Sequence, residues 1–381
     1  MMVPCTDEPY DATVDTAAIT DIHVIFSNHL DVGFNVRAWC DGDDGCKSME
    51  DTSTGLPCRP WAYWVLNENI NVFLPRAVET ANAMRLLPSN STTAPDRYIY
   101  MTQPWVLSFF MDCAENAGML DWRNPEGGLG PNILQCPNAT VVAKLKAAIQ
   151  RGDIFWHAFP HNAQPGTYEP SLFEASLAMG SRLSEQLNVS KPVCFSQRDE
   201  TGMTRAILPA LNKAGVKMIS LGSGGSSGGH PVIPDLFVWR DPATQAEVLF
   251  VHDHGYGGGM HVLPNGHAVY CAWNTDNGGP QTVKSVQGIF KSLRSKYPQA
   301  KAYSSTFEQF YEHADAATMA KLPVVTQEIG DTWLYGCPSD PLKNTVFREI
   351  SRRRASCVIS GKCNPEDLTM QRFDRLLTKI P

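Results

Sequence analysis

"VIFSNHLDVGFN", Val24 to Asn35, is the stretch on which the fold turns. A β-branched and aromatic run stops at His29, carries Asp31 two positions on, and reaches Gly33. Side chains two apart on a strand leave on the same face, so His29 and Asp31 are presented together where the strand gives out. A satisfied polar pair in a loop is the commoner use of His-x-Asp. The chemical alternative is a metal, because an imidazole beside a carboxylate suits zinc or another borderline divalent ion.

Working outward, apolar runs of strand length alternate with helical periodicity. "DIHVIFS", "RYIYMT", "DIFWHAF", "PVCFSQ", "VKMISLG", "AEVLFVH" and "KAYS" read as strands. Helices are expected over Val65 to Arg85, interrupted near Pro75, over Thr140 to Arg151, and in "SLFEASLAMGSRLSEQL", "TRAILPALNKAG", "TVKSVQGIFKSLRSKY" and "STFEQFYEHA". Ser171 with Glu174, and Ser305 with Glu308, have capping-box spacing. Such alternation means parallel pairing with the functional face at the carboxyl ends of the strands. The expected fold is a seven- or eight-stranded parallel (β/α) barrel over residues 21–339. Residues 1–20 would be an extension and residues 340–381 the start of a helical region. Cys40 to Pro60, Asn124 to Pro137 and Gly255 to Pro280 read as inserted loops, and "GSGGSSGG" from Gly222 lacks the Gly-Lys-Ser/Thr of a phosphate loop.

The composition narrows the partners. With 43% hydrophobic residues over 381 positions the chain buries a large core. A net charge of -7 argues against nucleic acid, and no apolar run is long enough to span a membrane. The basic run Arg352 to Arg354 reads as a solvated helix face. Sequons at Asn90, Asn138 and Asn188, with eleven cysteines, suit an oxidising compartment. The amino terminus has no hydrophobic leader. The expectation is a secreted, lysosomal or vacuolar protein if a signal peptide is missing from the sequence, and a cytoplasmic one otherwise.

Further acids follow other strands. In "CFSQRDETG" Asp199 and Glu200 come directly after a strand, and Glu200 reads as a helix-start acid favoured by the helix dipole. In "QEIGDTWLYG" Asp331 stands two residues before Trp333, and a ring beside an acid is what a sugar site needs. His157, His161, His252 and His254 lie near predicted strand ends. Each alone is more often structural, but together with Trp105 and Trp333 they are candidate substrate contacts.

The order His29-x-Asp31-x-Gly33-Phe34, then "QRDETG", then "GDTW" resembles the amino-terminal catalytic domain of family 38 glycoside hydrolases, the class II α-mannosidases. The likeness runs from about Ile22 to Arg353. It implies zinc held by His29, Asp31 and Asp199, with Asp199 also the nucleophile of a retaining reaction on a mannose-like glycoside. Asp331 would match a carboxylate for acid/base work. The sequence departs from the pattern at Phe34, where tryptophan is usual, at Arg198 and Glu200 beside the nucleophile, and in "WHAFPHNAQ", which lacks an acid. In the resembled family a further histidine ligand comes from beyond the barrel. Here no histidine follows His313, so that ligand is expected beyond Pro381 in a longer chain, or among His157, His161, His252 and His254. Two other classes remain open from the residues alone, a metal-dependent carbohydrate deacetylase or amide hydrolase and an inactive carbohydrate-binding domain.

Overall fold

The computed structural model describes residues 5–6, 16–30, 50–51, 56–57, 61–87, 96–113, 135–222, 230–274, 278–330 and 340–379. Asp31, Asp331 and Trp333 lie outside them, as do most of the first two predicted inserted loops and the glycine run after Gly222.

Among the described residues, eleven strands form two large sheets. They are β1 Asp21–Asn28, β2 Tyr100–Thr102, β3 Ile154–Trp156, β4 Cys194–Arg198, β5 Met218–Gly222, β6 Leu236–Arg240, β7 Glu247–Asp253, β8 Met260–Val262, β9 His267–Asn274, β10 Lys301–Ser304 and β11 Val324–Val325. One sheet runs β8-β9-β1-β2-β3 with β10 also on β1, and the other runs β11-β6-β7-β5-β4. The pairs β9-β1, β10-β1, β1-β2, β2-β3, β4-β5, β5-β7 and β6-β11 are parallel, whereas β6-β7 and β8-β9 are antiparallel. Just past the end of β3, the Ala158 N–H donates to the carbonyl of Cys194, the first residue of β4, at 2.8 Å, so the two sheets meet there.

The strand expected over Asp21 to Ser27 is present as β1, buried on both faces, and each face has its own neighbours. Val24 and Phe26 join a cluster under the helices, while Ile25 packs with Met101, Phe155, Cys194, Met218, Leu249, Val269 and Cys271, drawn from strands of both sheets. His23, Ser27 and His29 share the parity of Ile25. By the same count Arg198, Ser220, Asp253 and Trp273 follow Cys194, Met218, Leu249 and Cys271 on that face, all towards the carboxyl ends of their strands.

The described helices are α1 Trp61–Glu68, α2 Leu74–Leu86, α3 Pro104–Met111, α4 Ala139–Gln150, α5 Pro170–Leu187, α6 Leu208–Lys213, α7 Val283–Lys296, α8 Phe307–Tyr311, α9 Pro341–Ile359 and α10 Leu368–Leu377, besides the short turn Ala316–Met319. Several expectations need correction. The break expected near Pro75 is a π-helical turn over Asn69–Phe73, which runs directly into α2 and accommodates Pro75, whose missing N–H cannot bond the preceding turn. α5 is capped not by Ser171 but by Glu169, whose carboxylate accepts from Ser171 N and Leu172 N. α8 has a capping box one residue later than expected, Thr306 with Gln309. No helix begins at Glu200, since the next helical turn starts at Arg205 behind the cap Thr204. Of the basic run, Arg352 and Arg353 are exposed beside Glu349, but Arg354 is buried in a two-bond ion pair with Asp374 of α10. The largest correction is Gly255 to Pro280. It is no mere loop, because it contains β9, which pairs with β1 along all eight residues.

Candidate active site

The carboxyl ends of β1 and β4 are tied together by one side chain. Asn162, in the segment after β3, places Nδ2 at 2.7 Å from His29 Nδ1 and 3.1 Å from the Leu30 carbonyl, while its Oδ1 accepts the Arg198 backbone N–H at 3.1 Å. His29 and the Gln197–Arg198 peptide, one residue before Asp199, are therefore held at one end of the fold. Asp199 has φ of +60°, a left-handed conformation that a non-glycine residue holds only at a cost of about 1 kcal/mol or more. That twist ends the regular alternation of β4 at the residue expected to be the nucleophile.

Arg198 fills the space beneath. Its five N–H donors find five acceptors: the Tyr256 carbonyl at 2.7 Å, the Gln197 and Ser220 carbonyls at 2.7 and 3.0 Å, Ser220 Oγ at 2.9 Å, and Asp253 Oδ2 at 3.4 Å. The guanidinium also lies 3.9 Å over the Trp273 ring. Burial would raise the Asp253 carboxyl, but His261 at 2.9 Å and Arg198 outweigh it and hold it at about 2. Glu200 is buried and accepts from Gln164 Nε2 at 2.5 Å.

Among the four histidines, His157 stacks on Trp273 with ring centroids 5.8 Å apart, and burial followed by the charge of Arg198 pushes its pKa down to about 3. Neither ring nitrogen of His157 nor Nε1 of Trp273 has a hydrogen-bond partner among the described residues. Buried polar atoms are rarely left so, and three neighbouring ones mark a place for water or a ligand. His161 is buried and bonded through Nδ1 to the Asn162 carbonyl at 3.0 Å. Trp105 is buried too, with its indole N–H given to the Arg375 carbonyl at 2.8 Å and His161 edge-on to its ring. His252 and His254 lie at the end of β7, where His254 Nε2 contacts Asp235 Oδ1 at 2.7 Å. Asp235, His252 and His254 bring one ligand atom each within 4.8 Å of one another.

The described part of the predicted zinc set can be tested against this geometry. The two backbone partners of Asn162 fix which end of its amide is nitrogen, so the amide N–H donates to His29 Nδ1 and the proton of neutral His29 sits on Nε2. A metal needs the lone pair of the nitrogen that binds it. His29 as placed does not fit, and would do so only if the Asn162 amide turned over and gave up its bonds to Arg198 and Leu30.

Asn162, Tyr256, Trp273, Asp253 and Asp235 were not singled out by motif reading. Trp273 had a usable signal, since His267, Val269, Cys271 and Trp273 alternate at strand spacing.

No protein-family model matches the chain, and no curated protein matches it. Among solved structures, an alpha-mannosidase from Enterococcus faecalis V583 aligns at TM-score 0.49 and 12% identity, covering 81% of this chain and 31% of that one. A protein in glycosyl hydrolase family 38 from Enterococcus faecalis aligns at TM-score 0.44 and 9% identity, covering 81% and 29%. A 4-alpha-glucanotransferase from Thermococcus litoralis aligns at TM-score 0.44 and 9% identity, covering 90% and 45%. The chain thus spans less than half the length of each. At such scores and identities the likeness carries no inference about family or activity.

Proposed function

We propose that the chain is a divergent glycoside hydrolase that acts on a mannose-like glycoside, with Asp199 as nucleophile. The observation that supports this most is the Asn162 bridge, which gathers His29 and the Arg198 N–H, next to Asp199, at the carboxyl ends of parallel strands beside Trp273 and His157. In this reading the Asp199 carboxylate attacks the anomeric carbon as the bond to the leaving oxygen breaks, and Asp331 gives that oxygen its proton. Water then releases the sugar from the glycosyl ester, with Asp331 taking the water's proton. The nitrogens of His157 and Trp273, without partners among the described residues, are positioned to hold sugar hydroxyls. Zinc, when bound in relatives of this kind, would orient and polarise sugar hydroxyls. His29 as placed does not fit that role, so no step above depends on it.

The same reading takes the two sheets as one barrel wall, supported by the core cluster to which both contribute. The cystines Cys113–Cys136 and Cys357–Cys363 support an oxidising compartment, hence a secreted or vacuolar location.

A second reading, a metal-dependent carbohydrate deacetylase, is favoured by Asp235, His252 and His254, a donor set suited to an ion that polarises water. The deciding experiment offers the chain nitrophenyl glycosides, a 2-fluoro glycoside trap and acetylated sugars. Nitrophenol release with a covalent label on Asp199 is expected. Asp199→Asn should lose on the order of 10⁴-fold in turnover, while Glu200→Gln, whose carboxylate is engaged by Gln164, should lose far less. Acetate release without nitrophenol would overturn the glycosidase in favour of the deacetylase, and sugar binding without either product would leave a binding domain.

A further inference from the structure

The opposite end of β1 carries a cluster that this chemistry does not use. His23 lies six residues before His29 on the same face, about 20 Å away at strand rise, and meets His267 from β9 and His313 from the turn after α8. The nearest ligand atoms of the three histidines all lie within 4.8 Å of one another. His23 Nε2 is 3.3 Å from His267 Nδ1 and 3.1 Å from the Tyr303 hydroxyl.

The surroundings of His23 fix its tautomer. Gln309 Oε1 accepts from the Thr306 backbone N–H at 3.3 Å, which identifies it as the amide oxygen. Ser305 Oγ lies 3.0 Å from that oxygen, with the Thr306 carbonyl as its other neighbour, so the single hydroxyl proton goes to an acceptor. Ser305 Oγ can then only accept from His23 Nδ1, 2.8 Å away. The proton of neutral His23 is on Nδ1, and the Nε2 lone pair points at His267 and Tyr303. This is the arrangement in which a metal-binding histidine is held by its outer hydrogen bond, and it is the reverse of that at His29.

We propose that His23, His267 and His313 form a binding site for one zinc-class divalent cation, separate from the catalytic end, with the Tyr303 oxygen beside it. Two ligands on a tetrahedral ion at 2.0–2.1 Å lie about 3.3 Å apart, the separation found between His23 Nε2 and His267 Nδ1. The imidazoles of His267 and His313 stack 3.5 Å apart with planes 10° from parallel. An ion in the plane of both requires one ring to turn, and half-buried His313, on a turn with solvent beside it, is the one that turns. Three nitrogens select zinc, cobalt, nickel or copper over magnesium or calcium.

The test is a titration of the full chain with Zn²⁺ and with Co²⁺, followed by elemental analysis. His313→Ala and His267→Gln are each expected to weaken one ion at least tenfold, whereas His254→Ala leaves that ion in place. On the unaltered chain, Zn²⁺ should protect His267 and His313 from diethylpyrocarbonate, read by peptide mass spectrometry, which needs no variant to fold. Unchanged affinity in His313→Ala, loss of the same ion in His254→Ala, or labelling of His267 and His313 undiminished by Zn²⁺ would each overturn the proposal. None of these readouts depends on glycosidase activity.

Discussion

Arg198 shows how one residue organises the candidate site. Its charge is buried with five satisfied N–H groups and an aromatic face, and it neutralises Asp253 across β4, β5 and β7. Removing one partner of such a pair strands the other charge in a low dielectric, which typically costs about 3–5 kcal/mol. Arg198→Met is therefore expected to lose stability on that scale in urea unfolding, and adding Asp253→Asn should recover part of the loss because it removes the stranded charge. A loss no larger than the ~1 kcal/mol of a surface pair would mean that water reaches the guanidinium. In the sequence Arg198 is only a departure from a family pattern. Its function depends on Tyr256 and Asp253, more than fifty residues away, and no local signal reports that.

At the scale of elements, what was legible follows from local physics. Strands such as β1, β4 and β5, apolar runs buried along nearly their whole length, and the longer helices were read correctly because one short segment contains the whole signal. β9 was missed because Gly255 to Pro280 is rich in glycine and asparagine, and its pairing with β1 is settled by tertiary contact rather than propensity. Caps were misplaced by one or two residues at Ser171 and Ser305 because adjacent residues compete for the same amides, and Glu169 and Thr306 win in the folded chain. Two asparagines read as sequons have a bland structural use: Asn138 caps α4, and Asn188 ends α5 with φ of +49°. Glycines separate the two kinds of constraint. At Gly222, the end of β5, a Cβ would lie 2.4 Å from the Gly255 carbonyl oxygen and 2.4 Å from Arg198 Cδ, whereas at Gly288, inside α7, it meets nothing within 4 Å. Gly222→Ala should destabilise by about 1–3 kcal/mol through overpacking, and Gly288→Ala should stabilise by about 0.5–1 kcal/mol through helix propensity. Thermal melts of the two variants are expected to shift in opposite directions, and a harmless Gly222→Ala would mean that the strand ends are looser than described.

For the molecule as a whole, buried titratable groups set how stability varies with pH, and they act against each other. Burial lowers His157 to about 3, lowers His23 to about 3 with help from His313 and His267, and takes His161 well below 6.5. These folded-state values lie under the unfolded one, so the unfolded chain binds more protons between them. The contribution is fully present above about pH 6.5 and is lost as pH falls towards 3. Glu308 runs the other way. Burial raises its carboxyl to about 7 although Oε1 accepts from Val193 N at 2.9 Å, so its contribution is present below about 4.5 and is lost as pH rises through 7. Between 4.5 and 6.5 the glutamate offsets one of the imidazoles, and the net slope still favours higher pH because the imidazoles outnumber it. In metal-free buffer, stability should decline from pH 6.5 towards pH 3, gently at first and more steeply below 4.5, where Glu308 is protonated in both states and no longer offsets. Glu308→Gln keeps the acceptor for Val193 but removes the titration. The variant should match the parent near pH 4.5, be more stable than it at pH 7.5, and show the full imidazole slope across the interval between. Urea unfolding at half-unit pH steps would read this directly, and a difference between the two proteins that stays constant from pH 4.5 to 7.5 would show that Glu308 is ionised in the folded chain.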